Sequence, residues 1–285
     1  MIQRKIARIQ THHSAQGFLG SGHLAAAVVD GSNFEQTDPF FLLMDDRLDL
    51  PGGHPVGGPH PHAGFETATL VLEGSEASWQ TGAFELMTAG SGIVHTEEIT
   101  TETKLRILQL WLILPPEKRW TEPFFQEIKP ERVPTHMTDN SEVRVYSGSS
   151  NGLTSPVINQ TPVTIVDFKL GTGTERSQQI PASYNGFIYV IEGTVSIGTE
   201  QVEKDQSAWL EKTRRTGTSE IIFKAGKQGA RFILYAGEPQ HAPIVSHGPF
   251  IGNSKEDIRR LYHEYNRGRM KHVNDLPESH VRRYV

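Results

Sequence analysis

The 285-residue chain contains no cysteine. That absence excludes a disulfide framework, a thiolate metal site and a cysteine nucleophile, and it fits a reducing compartment. A basic excess is also missing: 28 Lys and Arg stand against 33 Asp and Glu, for a formal charge of −5. Nothing in that balance favours nucleic acid, whose binders carry a basic face. Long apolar runs are missing too. The most apolar window, Ile107 to Leu114, is interrupted by Gln109 and is far too short to span a bilayer. The opening Met-Ile-Gln-Arg-Lys-Ile-Ala-Arg is too charged for a secretory signal. The expectation is a cytoplasmic protein with no membrane and no direct nucleic-acid contact. Histidine is absent between His136 and His241, although the chain holds 13 of them. No imidazole site can therefore be assembled from the middle of the second half.

What is present is a concentration of ligand-type residues in the first half. His60-Pro-His62-Ala-Gly-Phe-Glu66 is followed by His95-Thr-Glu97 after a Gly-rich stretch. Side chains two apart in a strand point to the same face. Two such pairs meeting would aim three nitrogens and one or two oxygens at one point. Mixed imidazole and carboxylate suits a borderline divalent metal, and iron, manganese, nickel, copper and zinc are all admissible. Fewer than six protein ligands would leave positions open for water, oxygen or substrate. A lone histidine is usually an ordinary polar residue, but two H-x-[HE] pairs flanking glycines are a much rarer coincidence. His12, His13 and His23 lack this spacing and read as surface or turn residues, and His54 reads as loop.

The rest of the chain reads as short strands. Phe40-Phe-Leu-Leu-Met is a buried candidate, and Leu105 to Leu114 alternates, placing Gln109, Trp111 and Ile113 on one face. Phe187 to Ile197 reads as a hairpin turning at Glu192-Gly193. Two rhymes suggest an internal duplication: Thr69-Leu-Val-Leu-Glu-Gly74 with Tyr189-Val-Ile-Glu-Gly193, and Leu108 to Pro115 with Phe232 to Pro239. The polar stretch from Pro115 to Thr138 is the expected crossing, giving a metal-binding domain over 1–138 and a second domain without a metal site over 139–285. Near the end, Asn253-Ser-Lys-Glu256 reads as a capping box. Ile258, Leu261, Tyr262 and Tyr265 then form one apolar stripe, with Gly268 as the stop. The tail from Lys271 reads as solvated or loosely docked.

Together, His60-Pro-His62-x-Gly-Phe-Glu66-Thr, Met87-Thr-Ala-Gly-x-Gly-Ile-Val-His95-x-Glu97, Leu108-Gln-Leu-Trp111 and Gly237-Glu-Pro-x5-Ser246-His-Gly-Pro-Phe250 resemble the pirin family of the cupin superfamily. The likeness spans nearly the whole chain. It implies an all-β fold, a bicupin of two face-to-face cupin β-barrels with metal in the N-terminal one and a short C-terminal helix. Carried over by motif, the metal ligands are His60, His62, His95 and Glu97. Glu66 is held behind them, and Gln109 is placed near them by pattern. One departure concerns the hairpin before Met87, which is short, with Phe84-Glu85-Leu86 where the family carries a Gly-Asp pair. That puts the pocket rim in question.

The resemblance also implies Fe(II) and, as in several members, a dioxygenase opening the ring of the flavonol quercetin, with a small phenol and O₂ as reactants. Glu97 would serve as ligand and as proton acceptor. The competing expectation is a non-catalytic protein whose metal redox state sets its binding to regulatory protein partners. Fold alone does not decide between them.

Overall fold

The computed structural model describes residues 1–75 and 79–285. Two large sheets account for most of it. In the first, eight strands run in the order Val281–Tyr284, Phe124–Ile128, Phe84–Thr88, Phe65–Glu73, Thr103–Ile113, Phe40–Leu50, His23–Val29 and Ala15–Gln16. The second, of ten strands, has the path Thr135–Thr138, Ser141–Ser147, Val163–Leu170, Thr218–Gly237, Asn185–Ile197, Gln206–Leu210 and Ile6–Thr11. No helix among the described residues is long and apolar enough to cross a membrane.

The two barrels implied by the family resemblance do not form. A barrel closes only when its first and last strands pair. Among the described residues neither sheet closes on itself: the first is an open path, the second is an open path from which three strands branch, and His60–His62 and Ile93–His95 make a separate two-stranded ribbon. The mostly β architecture and the short C-terminal helix are present.

Alternation explains how the first sheet serves both a core and a site. In Thr103–Ile113, Leu108, Leu110 and Leu112 are buried in a cluster that also takes Phe187, Tyr189, Trp209, Ile233 and Tyr235 from the second sheet. Leu105, Ile107, Gln109 and Trp111, the intervening residues, face a cavity on the other side. Phe65–Glu73 is buried along nearly its whole length because both of its faces are covered.

The duplication is visible in the strand pairing. Phe65–Glu73 pairs with Thr103–Ile113, which pairs with Phe40–Leu50; in the second half Asn185–Ile197, Thr218–Gly237 and Val163–Leu170 repeat that order. A buried ion pair repeats with it. Arg106 grips Asp45 through two hydrogen bonds of 2.9 and 2.8 Å, and Arg231 grips Asp167, the closest approach being 2.9 Å. In both halves the Asp lies opposite the residue two beyond the Arg, Leu108 in one and Ile233 in the other.

Four local expectations are corrected. Glu192-Gly193 is not a turn: Asn185–Ile197 runs on through it with shifts of register, and Gly193 takes a positive φ of 68°. The chain bulges there rather than reversing. The helix Lys255–Asn266 is capped one residue later than expected, by Ser254, whose hydroxyl accepts from the Asp257 amide while Asp257 reaches back to the Ser254 amide. The tail is docked, because Val281–Tyr284 pairs in parallel with Phe124–Ile128. His23 is not at the surface: it is buried against Asp46. The short hairpin ahead of Met87 includes 76–78, which lie outside the described residues.

Candidate metal centre

The ribbon brings the two histidine motifs together in register, with His60 opposite His95 and His62 opposite Ile93. Gly64 ends it. With φ at +89° and a would-be Cβ only 1.8 Å from the Ile251 carbonyl oxygen, this position admits only glycine. The corner it makes separates the ribbon from the strand that begins at Phe65. On the far side, Gly57 lets the loop close on Glu97, whose amide donates to the Gly57 carbonyl at 3.1 Å.

The nitrogens of His60, His62 and His95 lie within 4.8 Å of one another. The Nε2 atoms of His60 and His95 are 2.8 Å apart. Two imidazoles bound at right angles to one ion at Zn–N-like lengths would sit about 3 Å apart, so this spacing fits a shared metal. The Nδ1–H of His60 donates to the Gly58 carbonyl at 2.9 Å, which turns its Nε2 towards the cluster. His62 is 4% exposed, and among the described residues neither of its nitrogens has a hydrogen-bond partner of good geometry. A bare buried imidazole is costly unless something satisfies it, and a bound cation does so.

Electrostatics favour the neutral, ligating form. Burial, reinforced by His60, pushes the His62 pKa down to about 3. Burial together with His62, His60 and His272 pushes that of His95 down to about 2. Their lone pairs are thus free at neutral pH, as metal binding requires. The cluster could coordinate a divalent metal, and its donor set does not choose among several.

Glu97 adjoins this group. Its Oε2 is 3.8 Å from His60 Nε2, and its Oε1 accepts from Gln109 Nε2 at 3.1 Å. Burial raises its carboxyl above the ordinary range. Gln109 is therefore where the strand pattern puts it. Glu66 is not brought to the cluster. Beyond the Gly64 corner, Phe65 faces His62 and Trp111 while Glu66 faces the opposite way. Its carboxylate accepts from Thr88 Oγ1 at 2.7 Å and from the Gln160 amide at 3.1 Å. Burial drives its pKa up to about 7. His54 is exposed in its loop.

The site opens into a cavity of about 580 Å³, walled by Leu42, Met44, Leu48, Ile99, Leu105, Ile107 and Trp111, with His60, His62, Glu97 and Gln109 among its lining. Trp111 stacks on Phe65 at 4.3 Å and meets the His62 ring edge-on at 5.1 Å, so the wall also holds that imidazole in place. Three lining or adjoining residues escape a reading of the sequence: His23, Asp46 and His272. Only the register of distant strands brings the first two together. His272 reaches the site from the C-terminal segment, bonding Thr96 at 2.9 Å, and no local spacing signals it.

The family model "Pirin" matches residues 22–112, and "Pirin C-terminal cupin domain" matches 165–271. Pirin of Rattus norvegicus is 36% identical over 251 residues, covering 84% of each chain. Pirin of Homo sapiens is 34% identical, covering 84% of this chain and 85% of its own. The crystal structure of quercetin 2,3-dioxygenase from Acinetobacter baumannii superposes with a TM-score of 0.80 at 26% identity, over 93% of this chain and 98% of that one. On its sequence, its strand pairing and these relatives, the chain belongs to the pirin family.

Proposed function

We propose that this protein is an Fe(II)-dependent dioxygenase acting on quercetin-like flavonols, with His60, His62, His95 and Glu97 as metal ligands. The observation that carries the reading is the three-imidazole cluster, with Glu97 at its side, opening into an apolar cavity of about 580 Å³. Likeness to the Acinetobacter quercetin 2,3-dioxygenase supports the substrate class. The division of labour belongs to the same proposal: 1–138 holds the metal, and 139–285, empty of histidine from 137 to 240, supports it.

Bound iron would supply Lewis acidity and one-electron chemistry with O₂. The protein's own residues do the rest. Leu42, Met44, Ile107 and Trp111 hold a flat phenol and keep water from it. Glu97 Oε2, 3.8 Å from His60 Nε2, takes the proton of the substrate hydroxyl, while Gln109 fixes the other carboxylate oxygen. Holding both reactants side by side makes the step nearly unimolecular.

Metal analysis and oxygen uptake on one anaerobically purified sample test this. Iron-loaded protein should consume O₂ when quercetin is added. His60→Ala or His95→Ala should lose the metal and stay folded, since a chain of this size has ample core without it. Glu97→Gln should keep more metal than either and lose about 10²–10⁴-fold in rate, the usual worth of a general base. Absence of metal-dependent uptake across a panel of such phenols would overturn the reading in favour of a redox-sensing protein that binds regulatory partners.

A further inference from the structure

One carboxylate in the cavity is left without work by the mechanism above. Asp46 lines the cavity wall, and its Oδ1 accepts from His23 Nε2 at 2.8 Å. The tautomer is fixed by geometry: His23 Nδ1 accepts the Leu19 amide at 3.2 Å, so the ring proton sits on Nε2 and points at Asp46. Among the described residues Asp46 Oδ2 has no hydrogen-bond partner. The side chain is only 12% exposed, and its neighbours on the wall include Met44, Leu48 and Ile107. A charged acceptor held this way in an apolar cavity is expensive unless it meets a donor.

Its position relative to the metal cluster is set by the sheet. Met44 lies opposite Gln109, the residue that holds Glu97, and Asp46 lies opposite Ile107. Asp46 is thus one pleat further along the wall, about 7 Å at the rise of a strand. That is roughly the width of one aromatic ring system beyond the atoms that would reach the metal.

We infer that Asp46, oriented by His23, is a specificity residue that accepts a hydrogen bond from a substrate hydroxyl one ring away from the metal-binding end. The ligand class is then a flat hydroxylated aromatic with a chelating oxygen pair at one end and a phenolic donor at the other. This rests on the cavity being the substrate site proposed above. It does not require that the substrate be turned over.

The test compares quercetin with 3-hydroxyflavone, which keeps the chelating oxygens and lacks the other hydroxyls. Binding is measured by ligand fluorescence and absorbance on full-length protein loaded with Zn(II), without oxygen, so that no turnover intervenes. Asp46→Asn is the informative variant, because its amide oxygen still accepts from His23 and the wall keeps its shape. Quercetin should bind the variant about tenfold or more weakly, in line with loss of a hydrogen bond to a charged group. 3-Hydroxyflavone should bind both proteins within about twofold, and the thermal midpoint should not fall. Equal loss for both ligands, or no loss for quercetin, would overturn the inference and give Asp46 and His23 a structural role only. An Asp46-dependent preference in a protein that consumes no oxygen would instead sink the dioxygenase reading and leave this one standing.

Discussion

At the scale of single residues, Glu66 shows where a motif misleads and geometry corrects it. In the sequence it stands four places after His62 and belongs to the same run. In the structure the Gly64 corner intervenes, and Glu66 turns to the side of the sheet away from the histidines, buried beneath Thr88 and the Gln160 amide. The ligand-type pairs themselves were legible because strand alternation is local. The direction of Glu66 was not, because it depends on one glycine's φ. The burial has a pH signature. A folded pKa of about 7 lies above the ordinary carboxyl value, so the native state holds this proton more tightly than the unfolded chain does. The group's contribution is whole below about pH 4.5 and is lost as pH rises towards 7, on the order of 3 kcal/mol for a shift of that size. Glu66→Gln cannot ionise, and its amide oxygen still accepts from Thr88. The melting temperature of the variant minus that of the parent should therefore grow between pH 5 and pH 8. A difference flat with pH would mean that Glu66 is already ionised in the fold.

At the scale of elements, the repeated strand order carries a repeated ion pair that no rhyme in the sequence announced. Glu73-Gly74 and Glu192-Gly193 were visible as matching words, and both lie near the arginine of their half: Arg106 Nη1 is 3.9 Å from Glu73, and Glu192 acts on Arg231 through its charge. Asp45 and Asp167 were invisible, since each meets its arginine only through the register of strands some 60 residues apart. The same limit hid His23 and Asp46. Removing one partner of a buried pair strands a charge and costs about 3–5 kcal/mol. The two halves should not pay equally. Asp45 keeps Arg47 at 3.1 Å and the Tyr189 hydroxyl at 2.8 Å, whereas among the described residues the hydrogen bonds to Asp167 come from Arg231 alone. Urea midpoints should fall for both Arg106→Met and Arg231→Met, and further for Arg231→Met. The reverse order would show that Arg47 and Tyr189 do little to hold Asp45.

At the scale of the whole molecule, the two sheets are tied together by the chain's own ends. Ile6–Thr11, from the start of the chain, borders the second sheet beside Gln206–Leu210, and Val281–Tyr284, from its end, borders the first beside Phe124–Ile128. Proximity in sequence assigns each end to its nearer half and leaves the tail solvated or loosely docked, because pairing across more than 150 residues leaves no local trace. The tail strand is well anchored. Tyr284 packs against the core shared by the sheets, its hydroxyl donates to the Pro156 carbonyl at 2.9 Å, and Arg283 lies 3.6 Å from Glu127. Deleting residues 281–285 should therefore uncover the Phe124–Ile128 edge and lower unfolding free energy by about 2–4 kcal/mol, most of it from buried ring and aliphatic area. The histidines of the candidate centre sit on the separate ribbon, with none of their hydrogen bonds made to this strand. Metal stoichiometry should hold while the denaturation midpoint drops, with Tyr284→Ala reproducing part of the drop. A truncated protein as stable as the full chain would make the strand a passive addition to the edge. Loss of metal in parallel with stability would show instead that the tail braces the centre through the His272 segment, which contacts Thr96 beside His95.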